Sequence, residues 1–478
     1  MQRIVPGPSH PLHGVAATRT LEQTLAATLP PHTLMQRAGL ATARLALAIA
    51  PHAQRYWIAC GPGNNGGDGL EAALHLQQWG KAVHVGWLGD PATAPADARA
   101  SQARALAAGV RFTEAPAQDC DCAIDALLGI GATRAPEGRL AEWIAQLNTL
   151  SVPVLAVDLP SGLDADTGTA PGPCVRARHT LSLLTLKPGL YTARGRDQAG
   201  QVWLDDLGAD RSAAAPQAWL GGAPAQPQRR HATHKGSYGD VAVIGGAPGM
   251  VGAALLAARA ALHHGAGRVF VGLLDEGSLG VDSTQPELMF RRPDSLLPAG
   301  LTVVAGCGGG PAIAAQLPHV LSTAPALVLD ADALNAIGQD TQLQGLLRAR
   351  GPRERQTVLT PHPLEAARML GCSAAEVQQD RLAAARRLSE QSGTCVVLKG
   401  SGTVIAAPGR TPVLNPTGNA RLATAGTGDV LAGLIGARLA RGENAFEAAC
   451  AAVWLHGQAA DAWPHDQPLT AGALARHG

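Results

Sequence analysis

The chain has 478 residues, more than one ordinary hydrophobic core serves, so two domains of about 200 to 250 residues are expected. Charged residues make up 16% and the formal net charge is +1, which argues against electrostatic recruitment to nucleic acid or to a membrane surface and favours small-molecule substrates. Apolar residues reach 46%, ample for globular cores, yet no uninterrupted apolar run reaches the ~20 residues of a membrane-spanning helix.

Eight cysteines (Cys60, Cys120, Cys122, Cys174, Cys307, Cys372, Cys395 and Cys450) show no CxxC spacing and read as buried, reduced thiols. Sixteen histidines form no HExxH or similar ligand spacing, which argues against a transition-metal site. The first residues, MQRIVPGPSH, lack the basic-then-apolar pattern of a signal peptide, so a cytoplasmic location is expected. Lysine is rare: Lys81, Lys187, Lys235 and Lys399 are the four, and three of them fall in Gly-rich or strand-end motifs.

In chain order, residues 20 to 50 repeat apolar positions at helical spacing and predict one or two amphipathic helices. Strand-sized apolar runs then alternate with helical stretches: RYWIAC, KAVHVGWLG, CAIDALLG and VPVLAVDLP, each followed by a Gly- or Pro-rich turn. That rhythm predicts α/β architecture, a parallel sheet with helices on both faces. Residues 211 to 230 break it with Ala, Pro, Gln and Gly and read as a linker. The rhythm restarts with GDVAVIGG, GRVFVGLL, LTVVAGCGGG, PALVLDADAL, TVLTPHP and TCVVLKGSG, and a helix-rich tail begins near Thr427. The expected organisation is a domain over 1–215, a linker over 216–230 and a second domain over 231–478, each a three-layer α/β fold.

Between RYWIAC and the helical run LEAALHLQQWG lies Gly61-Pro62-Gly63-Asn64-Asn65-Gly66-Gly67-Asp68-Gly69. A tight Asn-Gly turn needs fewer residues. Glycines between a strand end and a helix N-terminus expose backbone amides to an anion, and the Asn and Asp oxygens could also hold a hard monovalent cation. The segment is neither a P-loop nor a GxGxxG fingerprint. Asp125 ends CAIDALLG before a loop from Gly129 to Arg134, and Asp158 ends VPVLAVDLP before Pro160-Ser161-Gly162. Any one of these acids could cap a helix. Acids at three strand ends can converge on one crevice, because open α/β sheets bind ligands beyond the carboxyl ends of their strands.

The strings GPGNNGGDGL, DALLGIGATR and AVDLPSGLDADTG resemble the NAD(P)H-hydrate epimerase domain over residues 15 to 210. The resemblance implies a Rossmann-like fold. It also implies that Asn64, Asn65, Gly66, Gly67 and Asp68, with the loop Gly129, Ile130, Gly131, Ala132, Thr133, Arg134 and Ala135, hold the hydrated dinucleotide. By the same resemblance Asn65, Asp125 and Ser161 surround a potassium ion, Asp158 contacts the substrate, and Lys187 in LSLLTLKPGL matches a family lysine. In the hydrated nicotinamide a hydroxyl sits on a carbon next to nitrogen. The nitrogen lone pair can expel that oxygen, and a placed carboxylate, for which Asp158 is the candidate, can shuttle the proton while water returns to the other face.

In the second half, Thr427-Gly428-Asp429 opens an apolar helix, whose first amides form an anion hole. Asp429 is either the helix N-cap or a base taking a proton from a hydroxyl while phosphoryl charge rests on those amides. GTGD and the strand end Lys399-Gly400-Ser401-Gly402-Thr403 resemble the ribokinase-like superfamily. HKGSYGDV, LDADALN, TPHPLEAARML, LKGSGTV and NPTGN…GTGDVLAG, in that order over residues 230 to 478, are similar to the ADP-dependent NAD(P)H-hydrate dehydratase. This resemblance implies that Lys399, Gly400, Ser401, Gly402, Thr403 and Gly428 bind the adenine nucleotide. It implies that Ala253, Gly308, His362 and Asp429 contact the hydrated substrate, with Asp429 as base. Two departures stand out: GCGGG, with Cys307 and Gly309, where GPGLG is usual, and ARLATAG before GTGD. ADP is the implied co-substrate, and magnesium bridging its phosphates is expected on general grounds.

The expected activity is therefore repair of hydrated NADH and NADPH: R and S forms are interconverted and the S form is dehydrated at the expense of ADP, giving AMP and phosphate. A homo-oligomer without nucleic-acid or membrane partners is expected. The alternative is a ribokinase-like kinase for a vitamin precursor or sugar with a dinucleotide-sensing first domain.

Overall fold

The computed structural model describes residues 1–115, 119–225, 231–232, 234–275, 277, 279–296 and 300–477. They divide into two compact units, residues 1–5 with 10–219, and residues 6–9 with 220–478. Of the segment expected as a linker, residues 226–230 lie outside the described residues. Upstream of them, Arg211–Ala213 make a 3-10 turn and Ala218–Leu220 a strand with Ala218 and Leu220 buried and Trp219 exposed. Alternating burial of apolar side chains here overrides the Pro/Ala-rich composition.

The first unit holds an eight-stranded sheet, in the order Gln2–Arg3, Gln201–Asp205, His179–Leu183, Val154–Val157, Cys122–Ala126, Arg55–Cys60, Ala82–Trp87 and Arg111–Thr113. All pairs are parallel except the first. Along Arg55–Cys60 successive side chains take opposite faces: Tyr56, Ile58 and Cys60 join one apolar cluster, Trp57 and Ala59 another. Burial on both faces gives a three-layer unit, as expected for parallel strands. The two helices expected over residues 20 to 50 are Val15–Ala26 and Thr33–Ile49.

In the second unit the order is Met289–Phe290, Arg268–Leu273, Asp240–Gly245, Thr302–Ala305, Ala326–Leu329, Gln356–Leu359, Cys395–Leu398, Val404–Ala406 and Val413–Leu414. Strands up to Cys395–Leu398 are parallel and the last two are antiparallel. Helix Thr427–Ala440 is apolar almost all round and is buried almost all round. It packs on helix Val251–His263 and on three central strands. Among the described residues, no helix is long and apolar enough to cross a membrane.

Glycine sets the closest helix contact: a Cβ on Gly433 would lie 2.1 Å from the Ala257 carbonyl oxygen. Gly433→Ala gains about 1 kcal/mol of helix propensity. Overpacking against backbone, at about 3 kcal/mol, outweighs it. The expected net loss is about 2 kcal/mol in the second unit, read as a lower urea midpoint for its transition with that of the first unit unchanged. An unshifted midpoint would mean that the helices separate freely.

Candidate active sites

In the first sheet the chain runs outward from Arg55–Cys60 to Ala82–Trp87 and Arg111–Thr113, then returns to Cys122–Ala126 on the opposite flank. Loops leaving the two central strands therefore diverge, and a crevice opens beyond their carboxyl ends. A cleft of about 630 Å³ occupies it, lined by Asn64, Asn65, Asp68, Gly129 to Ala132, Asp158 and Lys187, among others.

The segment read from sequence as a nine-residue loop is shorter. Helix Asn64–Gln78 begins at Asn64, so Asn64 to Asp68 form its first turns. The glycines serve close packing: a Cβ on Gly66 would meet the Gly61 carbonyl oxygen at 2.0 Å, and one on Gly67 the Met35 sulfur at 2.5 Å. Gly66 and Gly67 are thus buried behind the cleft, while Asn64, Asn65 and Asp68 face it. The N-cap, Gly63, has no side-chain hydrogen bond to offer, which leaves the first amides open to an anion. Of the following loop, Gly129 to Ala132 line the cleft, whereas Thr133, Arg134 and Ala135 do not.

Asp158 and Asp68 both line the cleft, but Asp125 lies beneath it, fully buried. The Asp125 oxygens accept from the Ser161 amide at 2.8 Å, the Ser161 hydroxyl at 2.6 Å and the Leu127 amide at 3.2 Å. These partners are neutral, and burial pushes Asp125 up to about 6 despite them. Ser161 Oγ also accepts from the Leu128 amide at 2.8 Å, which ties the pair to the loop above. Beside that loop, the buried Asn65 Nδ2 has no partner. A buried carboxylate whose partners are all neutral suits a cation with oxygen ligands; Asn65 Nδ2 is a donor and cannot meet such an ion, so only the Asn65 Oδ1 could join the Asp125 oxygens. Asp68 is pushed well above the ordinary carboxylate range, first by burial and then by Asp158 and Glu22. Asp158 sits in the left-handed region at φ 68°, a strained conformation for a non-glycine residue. Its carboxylate is ion-paired to the fully buried Lys187.

In the second unit, the N-cap of helix Thr427–Ala440 is Gly426 at φ 90°, with no side-chain cap. Asp429 stands inside the first turn, so the N-cap reading of Asp429 fails, and the helix amides remain available. The Cys307 sulfur and oxygens of Asp330 and Asp429 all lie within 4.8 Å of one another. Burial, then the Asp330 charge, raises Asp429 to about 7, while a hydrogen bond from Cys307 lowers it. The Cys307 thiol is itself pushed far up by burial and by Asp429, so it stays protonated and donates.

Lys399 Nζ donates to Asp330 Oδ1 at 2.6 Å, and the Thr360 hydroxyl donates to the same oxygen at 2.7 Å. A Cβ on Gly428 would lie 3.3 Å from Lys399 Nζ, which puts the lysine at the open helix end. Buried Arg381 donates to the Leu398 and Lys399 carbonyls at 3.2 and 3.1 Å, and a Cβ on Gly400 would press against it at 3.0 Å. Gly400, Ser401, Gly402 and Thr403 turn the chain between antiparallel strands Cys395–Leu398 and Val404–Ala406. Gly308 abuts Ala253, where an added Cβ would meet the alanine methyl at 2.9 Å. His362 caps helix Pro363–Leu370 and is itself braced by Glu365, and the adjacent Pro361 carbonyl accepts from the Lys399 amide at 2.9 Å.

The sequence reading omitted Asp330, although its motif was in view. Its signal is an acid ending a strand, followed here by Ala331 at φ 49°. Glu22, from a helix distant in sequence, gave no signal at all.

A family described as NAD(P)H-hydrate dehydratase matches residues 241–476, and one described as YjeF-related protein N-terminus matches residues 31–189. The bifunctional NAD(P)H-hydrate repair enzyme of Escherichia coli K12 is 37% identical over 458 residues, covering 90% of this chain and 84% of that protein. Its counterpart in Coxiella burnetii is 38% identical over 448 residues, covering 90% and 89%. This chain belongs to the bifunctional NAD(P)H-hydrate repair enzymes. The ADP-dependent (S)-NAD(P)H-hydrate dehydratase of Neisseria meningitidis is 45% identical over 254 residues, 52% of this chain and 84% of that protein. Among solved structures, the ADP/ATP-dependent dehydratase of Bacillus subtilis, crystallised with ATP and Mg2+, is 32% identical and covers 52% of this chain and 91% of its own, with a TM-score of 0.42. The repair enzyme thus carries an epimerase domain in its first half and an ADP-dependent dehydratase domain in its second.

With Asp429 as the dehydratase base, which requires its ionised form, kcat/KM for dehydration would rise through about pH 7. The Cys307 hydrogen bond favours the ionised form, so Cys307→Ala should move that limb to higher pH. A pH profile of kcat/KM on the S hydrate checks this, and an unmoved limb would mean that the thiol does not act on Asp429.

Proposed function

We propose that the first cleft interconverts the R and S hydrates by proton transfer between Asp158 and Asp68 and the bound ring. Asp158, held as an ion pair, takes the proton from the entering water. Asp68, pushed toward its protonated form, gives one to the departing hydroxyl as the ring nitrogen expels it. The open amides at Asn64 and the loop Gly129 to Ala132 receive the dinucleotide phosphates. Asn65, Asp125 and Ser161 would hold potassium, which when bound balances the Asp125 charge and steadies the loop above it.

The dehydratase reading rests on one observation above all: an uncapped helix end carrying Asp429 with Lys399 beside it. Asp429 takes the proton of the substrate hydroxyl as that oxygen attacks the terminal phosphorus of ADP, and AMP leaves. The ring nitrogen then expels phosphate, and loss of a proton from the neighbouring carbon restores the dihydronicotinamide. Hydroxide is a poor leaving group and phosphate a good one, which is why the nucleotide is consumed. The Lys399 to Thr403 turn and Gly428 take the nucleotide, and Ala253, Gly308 and His362 the substrate. Magnesium bound with the nucleotide would neutralise phosphate charge and could take the second carboxylate oxygen of Asp330, since its Oδ1 already accepts from Lys399 and Thr360, whereas the Cys307 thiol suits a hard cation poorly.

The test is recovery of reduced-nicotinamide absorbance from hydrated NADH with ADP or ATP. Asp429→Asn should stop all recovery, a loss of at least about 1000-fold in rate. Asp158→Asn should leave the R form unrepaired, and exchange of potassium for a bulky organic cation should do the same without slowing dehydration of the S form. No recovery with either nucleotide would overturn the reading, as would full R repair by Asp158→Asn.

A further inference from the structure

Lys187 is fully buried, and its ammonium has three protons to donate. Three acceptors surround it: Asp158 Oδ1, the Leu183 carbonyl at 2.7 Å and Ser182 Oγ at 3.3 Å. All three protons are therefore engaged within the protein, so Lys187 has none left for a substrate even though it borders the cleft. Asp158 shows the complementary pattern. Its Oδ1 accepts both from Lys187 and from the Leu183 amide at 3.3 Å, so Oδ2 is the oxygen left to the cleft. The backbone adds to the constraint. Asp158 is held at φ 68° while its amide donates to the Leu181 carbonyl at 2.7 Å, so the strand that supplies the lysine's acceptors also clamps the aspartate.

The geometry points to Lys187 as the positioning residue of the epimerase: it pins one oxygen of the Asp158 carboxylate so that the other faces the reacting carbon. This rests on the reading of Asp158 as the proton-transfer group. A fixed carboxylate favours the step and not the binding, because misplacement by about 1 Å costs on the order of 100-fold in rate. A lysine with free protons toward the cleft would instead have acted on substrate affinity. A lysine serving only the core would have shown its effect in stability alone.

The experiment follows R-to-S conversion by chiral chromatography in full-length protein saturated with potassium, with rates normalised to each preparation's dehydratase turnover on S hydrate. Lys187→Met should lower kcat about 100-fold and leave KM within about threefold. Lys187→Ala opens a channel from the cleft to Asp158, and ethylammonium should restore its kcat at least about tenfold while doing nothing for Asp158→Asn. The rescue keeps the test decisive if Lys187→Met folds poorly. Lys187→Met with kcat near wild type, or Lys187→Ala insensitive to ethylammonium, would overturn the assignment while an inactive Asp158→Asn leaves Asp158 in place. A fully active Asp158→Asn would instead remove Asp158, and the positioning role with it.

Discussion

A lysine paired with a buried aspartate at the carboxyl end of a parallel strand organises each half of the molecule. In the first it is Lys187 on Asp158, in the second Lys399 on Asp330. The buried aspartate is costly without its lysine, since an uncompensated buried charge costs several kcal/mol. Each pair therefore fixes two chain segments that are far apart in sequence, 29 residues in one case and 69 in the other. The loops carrying Ser161 and Gly400 hang from those anchors. In a chain that has only four lysines, these two sit at the strand ends where the ligands are expected.

Around the anchors, charge is graded by surroundings. Asp125 has neutral donors and is buried. Asp68 faces other carboxylates. Asp429 accepts a hydrogen bond from the Cys307 thiol but lies near Asp330. The same functional group thus acquires different proton affinities within one fold, and this allows acid and base roles to be divided among carboxylates.

The alternation of strand-sized apolar runs with helices was enough to read two α/β cores, since parallel strands buried on both faces must be continuously apolar. The strings around Asn64, Asp158 and Asp429 were legible because glycine and acid at strand ends have few purely structural uses. Where the reading stopped, the cause was distance. Lys187 finds Asp158, and Cys307 finds Asp429, only once the sheet is assembled. The start of the helix at Asn64 was hidden for another reason: three glycines among its first six residues argue against a helix on propensity, and packing on Gly61 and Met35 overrides them. The short strand Ala218–Leu220, inside the segment expected as linker, was not legible because composition outweighed a three-residue alternation.

Those glycines have a consequence for how mutational data on this protein should be read. Alanine is ordinarily the mildest of replacements. At Gly61 its methyl carbon would fall 1.8 Å from the Leu127 carbonyl oxygen, and at Gly66 2.0 Å from that of Gly61. An alanine scan would rank such positions beside Asp158, although they carry out no chemistry. At this helix, tolerance is decided by ångströms of clearance, and a map of sensitive positions would outline where two backbones touch as much as where a substrate reacts.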